Sequence, residues 1–109
     1  MDAREQRLAE NEVLFREINE QIKRSADRHG ADAHRYEFLC ECSNIDCTLR
    51  LEMTLAAYEE LRSDPTHFAT APGHALPEIE TVVAAFDGYT VVQKHGEAAE
   101  LGRRTDPRD

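Results

Sequence analysis

The residues of this chain best suited to chemistry are Cys40, Cys42 and Cys47, three thiols within the eight positions from Cys40 to Cys47. Thiolates are soft ligands, and three of them this close in sequence can reach one tetrahedral centre, because Zn–S bonds are about 2.3 Å long. Structural zinc takes four cysteines, three cysteines with one histidine, or two of each. The chain contains three cysteines and five histidines, so the fourth ligand has to be sought among the histidines. His29 and His34 precede the cysteine run, His67 follows a predicted helix end, and His95 lies past the last predicted strand. His74 stands in Ala71-Pro72-Gly73-His74, where proline stiffens the approach and glycine lets the backbone turn sharply. The expectation is a zinc site made by Cys40, Cys42, Cys47 and His74. The C-x-C-x4-C spacing is less specific than paired C-x-x-C motifs and does not by itself choose zinc over another soft-ligand metal. Two other chemistries use the same thiols: a redox site, or plain packing of cysteine as a small hydrophobe.

The elements that must position these ligands are legible on either side of them. Tyr36, Phe38 and Cys40 alternate with polar or opposite-facing residues, as do Leu49, Leu51 and Met53, and the turn-rich Ser43-Asn44-Ile45-Asp46 joins the two runs. This predicts a β-hairpin with the cysteines at its tip and with Glu41 facing away from them. Thr54 is placed to cap a short helix over Leu55–Arg62 that ends at Ser63-Asp64-Pro65, and His67–Thr70 reads as a short strand. Asp87-Gly88 between the β-branched pairs Val82-Val83 and Val91-Val92 predicts a second hairpin. A helix over 77–86 followed by a single strand is the alternative.

Ahead of all this, Ala3 to about His29 reads as one helix ended at Gly30, with an apolar stripe of Leu8, Phe15, Ile18 and Ile22 and with Leu14 beside it. Asn11 and Ser25 interrupt the heptad, which makes it a weak coiled coil. Glu12–Arg16 and Glu20–Arg24 are spaced as i,i+4 ion pairs on the surface. The stripe is expected to dock while the opposite, acidic face stays wet. The first two turns, where Leu8 is the one large apolar residue, are expected to project as a partner-facing element. Past Gly96 the apolar content falls, which suggests a frayed tail. The expected fold is therefore α+β and zinc-centred: a long N-terminal helix, a small antiparallel sheet built from hairpins, and one short helix. The expected organisation is helix and linker over 1–34, a zinc-stabilised α+β domain over 35–96, and a flexible tail over 97–109.

Composition narrows the function classes. A chain of 109 residues has room for one modest core, and one with 6% aromatic residues benefits from a staple such as a metal. Thirteen Lys and Arg against 22 Asp and Glu give a net charge of −9. That balance argues against nucleic acid and against anionic membrane surfaces, both of which call for basic residues. The start Met1-Asp2-Ala3-Arg4-Glu5 lacks the apolar segment of a signal peptide, so a cytoplasmic location is expected. In that reducing compartment clustered cysteines are more often metal ligands than disulfides.

Phe38-x-Cys40-Glu41-Cys42-x4-Cys47, then Leu55-Ala56-Ala57-Tyr58-Glu59, then Ala71-Pro72-Gly73-His74, with Val82-Val83 and Val91-Val92-x-Lys94 after them, resemble a group of small actinobacterial proteins for which no activity is established. The resemblance runs from about Leu14 to Ala99 and implies a single recurrent module in which Cys40, Cys42, Cys47 and His74 belong to one motif. The cysteine spacing is also similar to the post-SET zinc motif, although no SET catalytic core is present. No H-E-x-x-H, H-x-E…P-C-x-x-C, G-x-S-x-G or Gly-rich phosphate loop occurs, and four ligands would fill a zinc ion's tetrahedron. The sequence thus points away from an enzyme and toward a zinc-binding regulatory or adaptor module with a protein partner and an open oligomeric state. The alternative is a thiol-based redox or metal sensor using Cys40, Cys42 and Cys47.

Overall fold

Asp2 opens the first helix, α1 (Ala3–Asp27), with a capping box: its carboxylate accepts from the Glu5 main-chain N–H while the Glu5 side chain accepts from the Asp2 N–H. Two of the donors that a helix start leaves open are satisfied in this way. The computed structural model describes residues 1–28 and 34–108, so the expected helix stop at Gly30 lies outside the described residues. After α1 come strands β1 (Arg35–Leu39) and β2 (Arg50–Thr54), helix α2 (Leu55–Leu61), strands β3 (His67–Thr70), β4 (Glu80–Phe86) and β5 (Tyr89–Lys94), and helix α3 (Gly96–Arg104). The class is α+β as expected. It has two small antiparallel sheets rather than one, and two short helices besides α1.

β1 and β2 pair with Phe38 opposite Leu51 and Tyr36 opposite Met53, the register the alternation calls for. Thr54 caps α2 by accepting from the Ala57 N–H. The second sheet has the order β3-β5-β4. Its hairpin turns at Asp87-Gly88, where Gly88 takes φ +88°, so residues 80–86 form a strand and the helical alternative is set aside. The main core lies between the two sheets and α2: Phe38, Leu51, Met53, Tyr58, Leu61, Ala69, Tyr89 and Val91, with Phe38 and Tyr58 stacked at 4.4 Å. A second cluster joins Ala9, Ile79, Ala98 and Leu101.

α1 corrects the sequence reading most. Phe15 is buried, but Leu14 is 48% and Ile18 37% exposed, while Glu12, Arg16, Asn19 and Glu20 are the buried large residues of the helix. The helix is thus rotated about its axis from the expected setting: Phe15 and Ile22 of the stripe still pack on the core, and beside them the side bearing Glu12, Arg16, Asn19 and Glu20 is docked, each of these four side chains finding a partner for at least one of its polar atoms. Lys94 sits between Glu12 and Glu80, all three buried, so the i,i+4 pair Glu12–Arg16 does not form. Arg16 instead donates to the carbonyls of Pro65 and Gly102 and lies over the Phe68 ring, with Lys94 also 4.5 Å from that ring's centre. Glu20 pairs with Arg62 and Arg108 rather than Arg24.

The start of α1 is docked too and does not project past the core. Met1 packs on the second cluster, its ammonium pairs with Glu97, and Arg4 reaches Glu78. The stretch after Gly96 is likewise no frayed tail. α3 buries Ala98, Ala99, Leu101 and Gly102, and beyond it Asp106 and Arg108 close ion pairs with Arg62 and Glu20. Its buried face consists mostly of small residues, which a reading by apolar content passes over. Among the described residues, no helix is long and apolar enough to cross a membrane.

Candidate metal centre

Cys40 continues the first hairpin by one rung, its N–H donating to the Leu49 carbonyl. From there the chain runs along the free edge of β3: the Glu41 N–H donates to the Ala69 carbonyl at 2.7 Å. Asn44 then opens a turn in which its carbonyl accepts from the Cys47 N–H and its side-chain oxygen from the Asp46 N–H. This turn folds Cys47 back toward Cys40 and Cys42. The fourth member arrives from β3. Ala71-Pro72-Gly73-His74 is a turn closed by the His74 N–H on the Ala71 carbonyl, with Gly73 at φ +83°, a conformation that costs glycine little and other residues more.

The structure brings the three thiol sulfurs and a ring nitrogen of His74 together, all within 4.8 Å of one another. His74 Nδ1 is 3.6 Å from Cys40 Sγ and 3.8 Å from Cys47 Sγ. A tetrahedral zinc with bonds of about 2.3 Å to sulfur and about 2.0–2.1 Å to nitrogen separates sulfur from nitrogen by about 3.6 Å. The two sulfur–nitrogen distances from His74 therefore match that spacing, and the whole group lies within 4.8 Å. The Ala71 N–H donates to Cys40 Sγ at 3.1 Å, a bond that stabilises a thiolate. Cys40 and Cys42 are buried and Cys47 is half-buried. The close approach of Cys42, and then burial, raise the pKa of Cys40, while the same approach of Cys40 lowers that of Cys42 to about 5 against the cost of burial. One thiolate is thus available to a cation at neutral pH. Such a Cys3His group can hold a metal ion.

Among the described residues, no other histidine takes part. His34 stands edge-on to Tyr36, His67 lies 3.5 Å from Asp64, and His95 is the exposed N-cap of α3, while His29 falls outside the described residues. Glu41 faces away from the thiols, as the alternation predicts, into a fully buried pocket of hydrogen bonds. Its carboxylate accepts from the Ala69 N–H (2.9 Å), Asn19 Nδ2 (2.8 Å) and the Tyr58 hydroxyl (3.2 Å). Burial raises its pKa, and these donors oppose the rise. Asn19 also brackets Leu39, accepting from its N–H and donating to its carbonyl, and Asn11 donates to the Ser43 carbonyl. Sequence reasoning missed these supports. The available signal was Asn11 itself, an amide interrupting an otherwise apolar stripe.

No protein-family model, no curated protein and no solved structure matches this chain.

Proposed function

We propose that this protein is a cytoplasmic zinc-stabilised module that works through protein contacts and has no catalytic activity of its own. The observation that carries the proposal is the Cys3His cluster, with His74 Nδ1 at 3.6 and 3.8 Å from two of the sulfurs. A catalytic zinc keeps a coordination position for water or substrate, whereas four protein ligands occupy all four. The nearest carboxylate in sequence, Glu41, is turned into the fold and committed to three donors, so it cannot serve such a water. The donor set, rich in thiolate, favours zinc among the common divalent ions.

The contact role is supported by β4. It is an edge strand of the second sheet, and its run Thr81-Val82-Val83-Ala84-Ala85-Phe86 carries no charge, with Val82, Val83 and Phe86 each about half exposed. An uncharged, half-exposed edge of this kind, although a register shift between Val82 and Ala84 interrupts its pairing with β5, suits addition of a strand from another protein. Affinity capture from the native cell with the wild-type chain and with Val83→Lys/Phe86→Glu tests the reading. A partner retained by the first and lost by the second, with zinc bound in both, is the expected result. Zinc released stoichiometrically by mild peroxide and regained on reduction would instead support the thiol-sensor alternative.

A further inference from the structure

The metal centre is assembled from two separate pieces of chain, the loop of Cys40, Cys42 and Cys47 and the turn that follows β3 and carries His74. Something must hold the two pieces in register if they are to meet one ion. Three hydrogen bonds tie Cys40 and Glu41 to the β3 segment, and Glu41 makes two of them. Its N–H donates to the Ala69 carbonyl and its carboxylate accepts from the Ala69 N–H; the third runs from the Ala71 N–H to Cys40 Sγ. Ala69 lies two residues before Ala71, whose carbonyl closes the turn that presents His74. Glu41 is in turn fixed by Asn19 of α1, which binds its carboxylate and both main-chain groups of Leu39.

We propose that Glu41 is the positioning residue of the metal site, braced by Asn19, and that it registers the three-cysteine loop against the segment bearing His74. This inference rests on the metal reading above. Cys40 and Cys42 point into the Cys3His cluster while the Glu41 carboxylate between them points to Asn19 of α1, so the alternation of one extended segment serves both purposes. α1 is thereby a part of the metal site although it supplies no ligand. Supporting groups that orient ligands typically change metal affinity by about 10- to 100-fold when removed.

Glu41→Gln is the decisive substitution. A glutamine cannot accept from both Ala69 and Asn19, because one of its two ends is itself a donor. The experiment is zinc affinity by chelator competition on the full-length chain, for the wild type, Glu41→Gln, His74→Ala and the double variant. The Co(II) absorption spectrum of each provides a second readout. A registering role predicts that Glu41→Gln weakens zinc binding by about 10- to 100-fold in the wild type. It also predicts little further loss in the His74→Ala background, where there is no longer a second piece to register. Asn19→Ala should show the same pattern more weakly and serves if the glutamine variant does not fold. A purely structural role predicts equal losses in both backgrounds and an unchanged Co(II) spectrum; either that outcome or wild-type affinity in the folded variants overturns the proposal. A wild-type protein that binds neither ion overturns the metal reading itself, a result that the first titration reports separately.

Discussion

At the scale of single residues, the thiol cluster and a buried carboxylate–lysine group each make the chain respond to pH. A metal held by the Cys3His group competes with protons for its thiolates, so affinity rises with pH. Cys42 gives up its proton at about 5, whereas the proton on Cys40 is held by the close approach of Cys42 and by burial. Apparent zinc affinity should therefore fall as pH is lowered from 8 to 6, and fall more steeply below about 5, as competition titrations at a series of pH values would show. The second group is Glu12, Glu80 and Lys94, where one ammonium faces two carboxylates. Burial pushes Glu12 well above its ordinary value of 4.5, against the attraction of Lys94. The folded chain thus holds this proton more tightly than the unfolded one. The resulting stability is complete below about pH 4.5 and is lost as pH rises toward the folded value. Glu12→Gln removes that dependence, so its denaturation midpoint relative to the wild type should improve from pH 4.5 to 7. Lys94→Met, which leaves two carboxylates buried, should cost about 3–5 kcal/mol.

At the scale of elements, the chain was legible where partners are local. The hairpin register of Phe38 and Leu51, the Thr54 cap and the Asp87-Gly88 turn each follow from residues a few positions apart. His74 as a companion to the cysteines followed from a turn that proline and glycine specify by themselves. α1 was legible as a helix but not in its orientation. Its inner face is polar, and its partners Lys94, Gly102 and Leu39 lie far along the chain, beyond what periodicity can supply. α3 was missed for a related reason: a Cβ on Gly102 would stand 3.0 Å from the Pro65 carbonyl, so close approach rather than apolar bulk seats it. Two measurements test this account of the elements. Ile18→Gln, on the exposed side, should change stability by no more than about 0.5 kcal/mol, whereas Asn19→Leu, although more apolar, should be clearly destabilising. Truncation after His95 should cost several kcal/mol, since Arg16 and Arg62 are buried and lose the partners they have in Gly102 and Asp106.

At the scale of the whole molecule, the Cys3His cluster stands where the two sheets meet, at the edge of the core they share, and brings the loop after β1 against the turn after β3. The first hairpin has two strands, too few for independent stability, and its neighbour sheet touches it through the Glu41–Ala69 bonds and the cluster around Phe38 and Tyr58. A bound zinc would cross-link the two directly, contributing up to the roughly 10–16 kcal/mol of apparent binding energy found in zinc-finger peptides. Chelation should therefore lower the thermal midpoint sharply and loosen the first hairpin and α1 before the second sheet. Amide exchange resolved by segment would show that order. The central claim is the Cys3His ion itself, and zinc K-edge X-ray absorption of protein purified without chelator addresses it most directly. The account predicts one zinc per chain with three sulfur neighbours at about 2.3 Å and one nitrogen at about 2.0–2.1 Å. Protein free of metal, or an ion surrounded by a different count of sulfur and nitrogen, would contradict it.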